Sequence, residues 1–172
     1  MLLINLFGGP GAGKSTGAAY IFSQLKMAGV NAELVTEFAK DKVWEGNKEV
    51  FKNQAYIFGK QYFKISRCAD KVDVIITDSP LLLSIVYNDN PVLGDSFNET
   101  VKNVFNSFNS MNFVLNREKE YNPVGRNQTE SEAKEVDVQV REILDQEKIP
   151  YDMVAGNELG YDYIVDRVLE QL

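Results

Sequence analysis

Residues 8–15 read Gly-Gly-Pro-Gly-Ala-Gly-Lys-Ser, and they are the side chains and backbone most able to do chemistry. A glycine, four residues and then Gly-Lys-Ser/Thr is the spacing of a loop that cradles phosphates. Glycines let backbone N–H groups converge on phosphate oxygens, and the positive end of a following helix adds to the field. Gly8, Gly9, Pro10, Gly11, Ala12, Gly13, Lys14, Ser15 and Thr16 are therefore expected to bind ATP. Lys14 would bring a point charge to the β- and γ-phosphates, and the Ser15 hydroxyl would ligate Mg²⁺.

Two carboxylates join that loop by position. Asp78 closes the apolar run Val74-Ile75-Ile76-Thr77, and the carboxyl end of a buried strand is where a second Mg²⁺ ligand belongs. Asp78 or Ser79, standing before Pro80, would also cap a helix. Glu37 follows Leu34-Val35-Thr36 at the same expected sheet edge. It is either a solvated strand-end acid or the group that takes the proton of an attacking hydroxyl. The chain has no histidine, so any general base is a carboxylate, a lysine or a tyrosine.

These groups need a scaffold that brings strand ends together. Apolar runs at 2–7, 32–36, 72–77, 112–115 and 151–154 read as buried parallel strands. Helical patterns near 14–28, 48–69, 80–88, 96–109, 130–147 and 158–171 alternate with them, so the expected fold is a five-stranded parallel α/β sheet flanked by helices. Gly29 can end the first helix. Thr129 with Glu132, and Ser96 with Glu99, read as capping boxes. Ala18, Ile21, Phe22, Leu25 and Ala28, then Ala133, Val136, Val140 and Ile143, then Tyr161, Ile164, Val165, Val168 and Leu172 form core stripes. Residues 117–128 are polar, lack periodicity and contain Pro123 and Gly125, as expected of a lid.

The 172 residues suit one domain, and 44% hydrophobic content excludes a disordered chain. No apolar run reaches a membrane span, and the start has no basic leader. The single cysteine, Cys68, fits a reducing cytoplasm and a buried apolar role. A net charge of −7 disfavours broad nonspecific nucleic-acid binding but leaves room for a local basic cleft. Lys60, Lys64, Arg67 and Lys71 recur at helical spacing, either as a solvated face or as a track for DNA phosphates.

The whole chain resembles small P-loop nucleoside and nucleotide kinases, the group that holds thymidylate kinases, deoxyribonucleoside kinases and nicotinamide riboside kinases. The resemblance rests on Glu37 with Trp44 after it, on Asn53-Gln54-Ala55-Tyr56, and on arginines in the lid segment. It implies that Glu37 is the base, that Gln54 reads a nucleobase, and that Arg117 and Arg126 touch the transferring phosphoryl group. Glu37, Phe38, Trp44, Gln54 and Phe58 would form the acceptor site. Asp78-Ser79-Pro80 departs from the group, which carries an arginine there. The chain is also similar to bacteriophage P-loop kinases, through Gly-Gly-Pro-Gly-x-Gly-Lys-Ser-Thr at 8–16 and Val-Thr-Glu-x-Ala-Lys at 35–40. Thr-Asp-Ser-Pro at 77–80 and Tyr-Asn-Pro-x-Gly-Arg-x-Gln at 121–128 complete that set. This similarity implies phosphorylation of 5-hydroxymethyluracil within DNA. A free nucleoside or nucleotide acceptor, and a nonkinase NTPase or nucleotide-dependent switch, stand as alternatives.

Overall fold

Five short apolar strands lie side by side in a parallel sheet, in the order β2-β3-β1-β4-β5. The structure is a computed structural model and describes residues 1–46, 48–118, 121–122 and 129–172. Along the chain run β1 (Leu2–Phe7), α1 (Lys14–Met27), β2 (Ala32–Val35), α2 (Phe38–Trp44), a 3-10 helix (Lys48–Lys52), α3 (Gln54–Ser66) and β3 (Val74–Thr77). Then follow α4 (Leu83–Val86), α5 (Gly94–Asn106), β4 (Ser110–Asn116), α6 (Glu130–Gln146), β5 (Asp152–Ala155) and α7 (Glu158–Gln171).

Alternation along β1 splits the core into two layers. Leu2, Ile4 and Leu6 face Ile21 and Leu25 of α1 and Ile164 and Val168 of α7. Leu3 and Phe7 face Ile65 of α3, Val101 and Phe105 of α5 and Val140 of α6. Cys68 is buried in this second layer. Each such fully buried side chain contributes on the order of 1.5–3 kcal/mol over exposure.

The fold class stands as expected, with strand ends displaced by one or two residues. The helices teach more. The single helix expected over 48–69 is divided, because Asn53 leaves helical geometry and caps α3 by accepting the Tyr56 N–H. Helix α2 has no buried residue, so no apolar stripe announced it. Helix α5 starts at Gly94 behind Leu93, two residues ahead of Ser96, so Ser96 and Glu99 form no capping box. Thr129 and Glu132 do form one, with both reciprocal bonds present. Neither Asp78 nor Ser79 caps the next helix, which begins only at Leu83 behind Leu82. Ala28 and Leu172 lie exposed, and on α6 Leu144 is buried while Ile143 is only partly so.

Register decides what meets at the sheet edge. Thr77 pairs with Asn5 of β1 and with Val35 of β2. Residues 8–13, Glu37 and Asp78 therefore leave the sheet together at its carboxyl edge, where open α/β sheets bind ligands.

Candidate active site

The loop between β1 and α1 is shaped by its glycines. Gly13 takes φ 100°, and a Cβ there would stand 2.5 Å from the Tyr161 hydroxyl. Gly9 lies so close to α6 that a Cβ would collide with the carbonyl oxygen of Ala133. Helix α1 then opens at Lys14 with no acidic residue in its first turn. The N–H groups of such a first turn have no partners within the helix, so they suit an anion. Ser15 and Thr16 are exposed there. The Lys14 ammonium spans the loop, donating to the carbonyls of Gly8 at 2.6 Å and Gly9 at 3.0 Å.

On one side of the loop lies a group of desolvated charges. Asp78 is only 4% exposed and accepts the Glu37 N–H at 2.9 Å. Burial pushes the Asp78 carboxyl above the ordinary range, and the nearby Lys14 charge opposes it. Glu37 behaves alike: burial raises it, Lys14 opposes, and Asp78 raises it further. Lys14 is pulled below its ordinary value by burial, while Glu37, Asp78 and Asp137 act the other way. Three ionisable groups thus share one field, each paying for desolvation and each steadied by an opposite charge. Asp78 and Ser15 offer a carboxylate and a hydroxyl, oxygen donors of the kind Mg²⁺ takes beside phosphates and water. That donor set fits the ion. Among the described residues, no group of three or more His, Cys, Asp and Glu could hold a metal by itself.

Several contacts went unread in the sequence. Gln61 is buried on α3, accepts the Phe38 N–H at 3.0 Å and donates to Thr77 Oγ1 at 3.3 Å. It ties the turn carrying Glu37 to the strand carrying Asp78. A glutamine among apolar positions of a helix was the available signal. Tyr87 lies in the field of Glu37, Asp137 and Tyr121, and burial raises its phenol. Tyr161 donates to the Gly13 carbonyl at 3.1 Å, and Asp137 accepts the Gly9 N–H.

The other expected residues fall as follows. Phe38 opens α2 and meets the Tyr56 ring at 5.7 Å. Gln54 is buried at the start of α3, with its Nε2 3.4 Å from the Phe51 carbonyl. Phe58 is buried and packs edge-on against Phe97. Trp44 ends α2 and is 66% exposed. Arg117 turns to the loop itself, donating to the Pro10 carbonyl at 2.7 Å and pairing with Asp137 at 2.8 Å. Arg126, with most of the expected lid, lies outside the described residues.

A parallel α/β sheet with a glycine-rich phosphate loop after its central strand defines a P-loop nucleotide-binding fold. Residues 3–159 match the model of the AAA domain family, and the chain belongs to that family. None of the curated protein sequences matches it. Among solved structures, deoxyadenosine kinase from M. mycoides with bound dATP superposes with a TM-score of 0.57 at 20% identity, over 98% of each chain. The same organism's deoxyadenosine kinase with the products dCMP and a flexible dCDP gives 0.54 at 18% identity, over 98% of this chain and 97% of that one. The protein therefore shares the fold of these kinases across its length. No helix among the described residues is long and apolar enough to cross a membrane.

Proposed function

We propose that the protein is an ATP-dependent kinase that phosphorylates a hydroxyl of a free nucleoside or nucleotide. The observation that carries this reading is the grouping of Glu37, Asp78 and Lys14 in one desolvated field beside the phosphate loop. The full-length likeness to deoxyadenosine kinase supports it. A phosphate loop alone would serve an NTPase or a switch equally well; a second, half-buried carboxylate beside Asp78 suits an acceptor hydroxyl.

In the proposed reaction the acceptor oxygen bonds to the γ-phosphorus, and the bond from that phosphorus to the β,γ-bridging oxygen breaks. ADP leaves, and the hydroxyl proton passes to the Glu37 carboxylate. Backbone N–H groups of residues 11 and 13–16 and the Lys14 ammonium would hold the phosphates as charge moves outward. Ser15 and Asp78 would hold Mg²⁺, which supplies further neutralisation of phosphate charge. Gln54, Phe38, Phe58 and Tyr87 would border the acceptor, with Trp44 at its rim, and Arg126 would add a cation from the lid. Transfer of radiolabel from γ-labelled ATP to a panel of nucleosides and nucleoside monophosphates tests this directly. ATP hydrolysis with no labelled acceptor from any member would leave the NTPase reading in its place.

One observation favours a second acceptor, a modified base such as 5-hydroxymethyluracil within DNA. Residues 38–71 hold eight Lys or Arg against four Asp or Glu, in a chain of net charge −7. The same stretch exposes Trp44, Tyr56 and Phe63, and cations with exposed aromatics suit a nucleic-acid strand. An oligonucleotide carrying that base, run beside its free nucleoside, separates the two.

A further inference from the structure

Two side chains hold the phosphate loop from the side away from Glu37. Arg117, just past the end of β4, donates through Nη1 to the Pro10 carbonyl and through Nη2 to Asp137 Oδ2. The second oxygen of Asp137, on α6, accepts the Gly9 N–H. Both are largely enclosed, with side chains 12% and 19% exposed. The guanidinium also lies against Gly11, where a Cβ would stand 3.0 Å from Nη1. One ion pair thus satisfies a donor and an acceptor on the outer surface of the loop's first half. Of the loop's inner N–H groups, that of Ala12 donates to the Gly9 carbonyl, and those of Gly11 and Gly13 are left to face a ligand.

Charge makes the pairing necessary. A carboxylate bonded to the Gly9 N–H would repel an incoming polyphosphate if it stood alone. Arg117 neutralises it at 2.8 Å, so the loop keeps its outer anchor without an anionic wall. A lysine would lack the fork that reaches Pro10 and Asp137 together.

We infer that Arg117 and Asp137 are a positioning pair for the phosphate loop, and that Arg117 sets nucleotide affinity through the loop rather than by touching the transferring phosphoryl group. The inference rests on one part of the proposed function, the binding of nucleoside polyphosphates, and not on phosphoryl transfer. The test is calorimetric binding of ADP with Mg²⁺ to the full chain, with melting temperatures as the folding check. Arg117→Gln leaves the Asp137 carboxylate unpaired beside the phosphates and weakens ADP binding about tenfold or more. Adding Asp137→Asn removes that charge and restores much of the loss, so the double variant binds better than Arg117→Gln alone. Arg117→Lys, which keeps the charge and loses the fork, falls between wild type and Arg117→Gln and serves if the glutamine variant does not fold. Two results would overturn the inference. One is wild-type ADP affinity in Arg117→Gln (or Arg117→Lys) with turnover alone reduced; the other is a loss that Asp137→Asn does not relieve. Absence of kinase activity in the wild-type protein would defeat the proposed function while leaving this binding test intact.

Discussion

The two flanks of the phosphate loop treat charge in opposite ways. On the α6 flank, Arg117 and Asp137 form a matched pair with short bonds to the loop backbone. On the β2–β3 flank, Glu37 and Asp78 lie in the field of the Lys14 ammonium, with Lys40 as a lesser cation, and burial pushes both carboxyls upward. The first flank spends its charges on holding a shape. The second keeps charge incompletely compensated, which costs stability and is the condition that the proposed proton transfer and metal binding need. Breaking each flank should therefore move stability and activity in different directions.

Lys14→Ala is expected to have the largest effect. It removes the cation with the larger pull on both carboxylates, the one proposed to meet the phosphates, so turnover should fall by ~10³-fold or more while the fold is retained. Radiolabel transfer and a thermal melt check both halves. Full activity in the folded variant would remove Lys14 from the reaction.

Glu37→Gln comes next. Turnover should drop ~10²–10⁴-fold with ATP affinity much less affected, because in the proposed reaction this side chain meets the acceptor hydroxyl and not the nucleotide. The wild-type pH profile carries the same information. As the proposed base, Glu37 would work only when ionised, and its folded value lies above the ordinary one. The acid limb of kcat/KM should thus sit at higher pH than an ordinary glutamate gives, and it should vanish in Glu37→Gln. Stability follows the same sign. The folded state binds the proton more tightly than the unfolded chain, so stability is lost as pH rises through the window from the ordinary to the raised value. At neutral pH, in metal-free protein, Glu37→Gln should raise the melting temperature by a few degrees while Arg117→Gln lowers it. A drop in both would erase the contrast between the flanks.

How much of this was legible in the sequence depends on how local each signal was. The phosphate loop, the five strands and the Thr129 cap are written in consecutive residues, and each stands where the pattern puts it. Glu37 and Asp78 were found because both follow apolar strands, and parallel register carries such positions to one edge. Helix α2 was missed because its seven residues bury nothing. The Asp137–Gly9 contact spans 128 positions, and no spacing rule links an exposed-looking aspartate on α6 to a loop near the start of the chain. The resemblance assigns Arg117 to phosphate, whereas its fork is taken up by Pro10 and Asp137.

Gln61 tests whether the acidic flank is built or accidental. Its amide bridges the Phe38 N–H and Thr77 Oγ1, so it fixes the turn that aims Glu37. Gln61→Leu keeps a similar volume and strands that N–H, at a cost of about 1–3 kcal/mol in stability. Turnover should fall about tenfold through misplacement of Glu37, with KM for ATP little changed. A matching rise in that KM would mean that Gln61 shapes the phosphate loop instead.

The smallest effect is expected at Tyr161, on the face of the loop opposite the charges. Its hydroxyl stands where a Cβ on Gly13 would come within 2.5 Å, and its ring stands where one on Gly17 would do the same. Its hydroxyl donates to the Gly13 carbonyl at 3.1 Å, at the residue that turns the chain into α1. Tyr161→Phe keeps the ring and loses only this bond, about 1 kcal/mol. ADP affinity and turnover should each change less than about threefold, since the ring still packs against Gly17. Gly17→Ala supplies the complement: it leaves the bond in place but drives a methyl into the ring, and should cost more stability than Tyr161→Phe. If the phenylalanine variant instead lost turnover on the scale of Glu37→Gln, the hydroxyl would belong to the reaction. The division between a shape-holding side and a reactive side of the loop would then have to be redrawn.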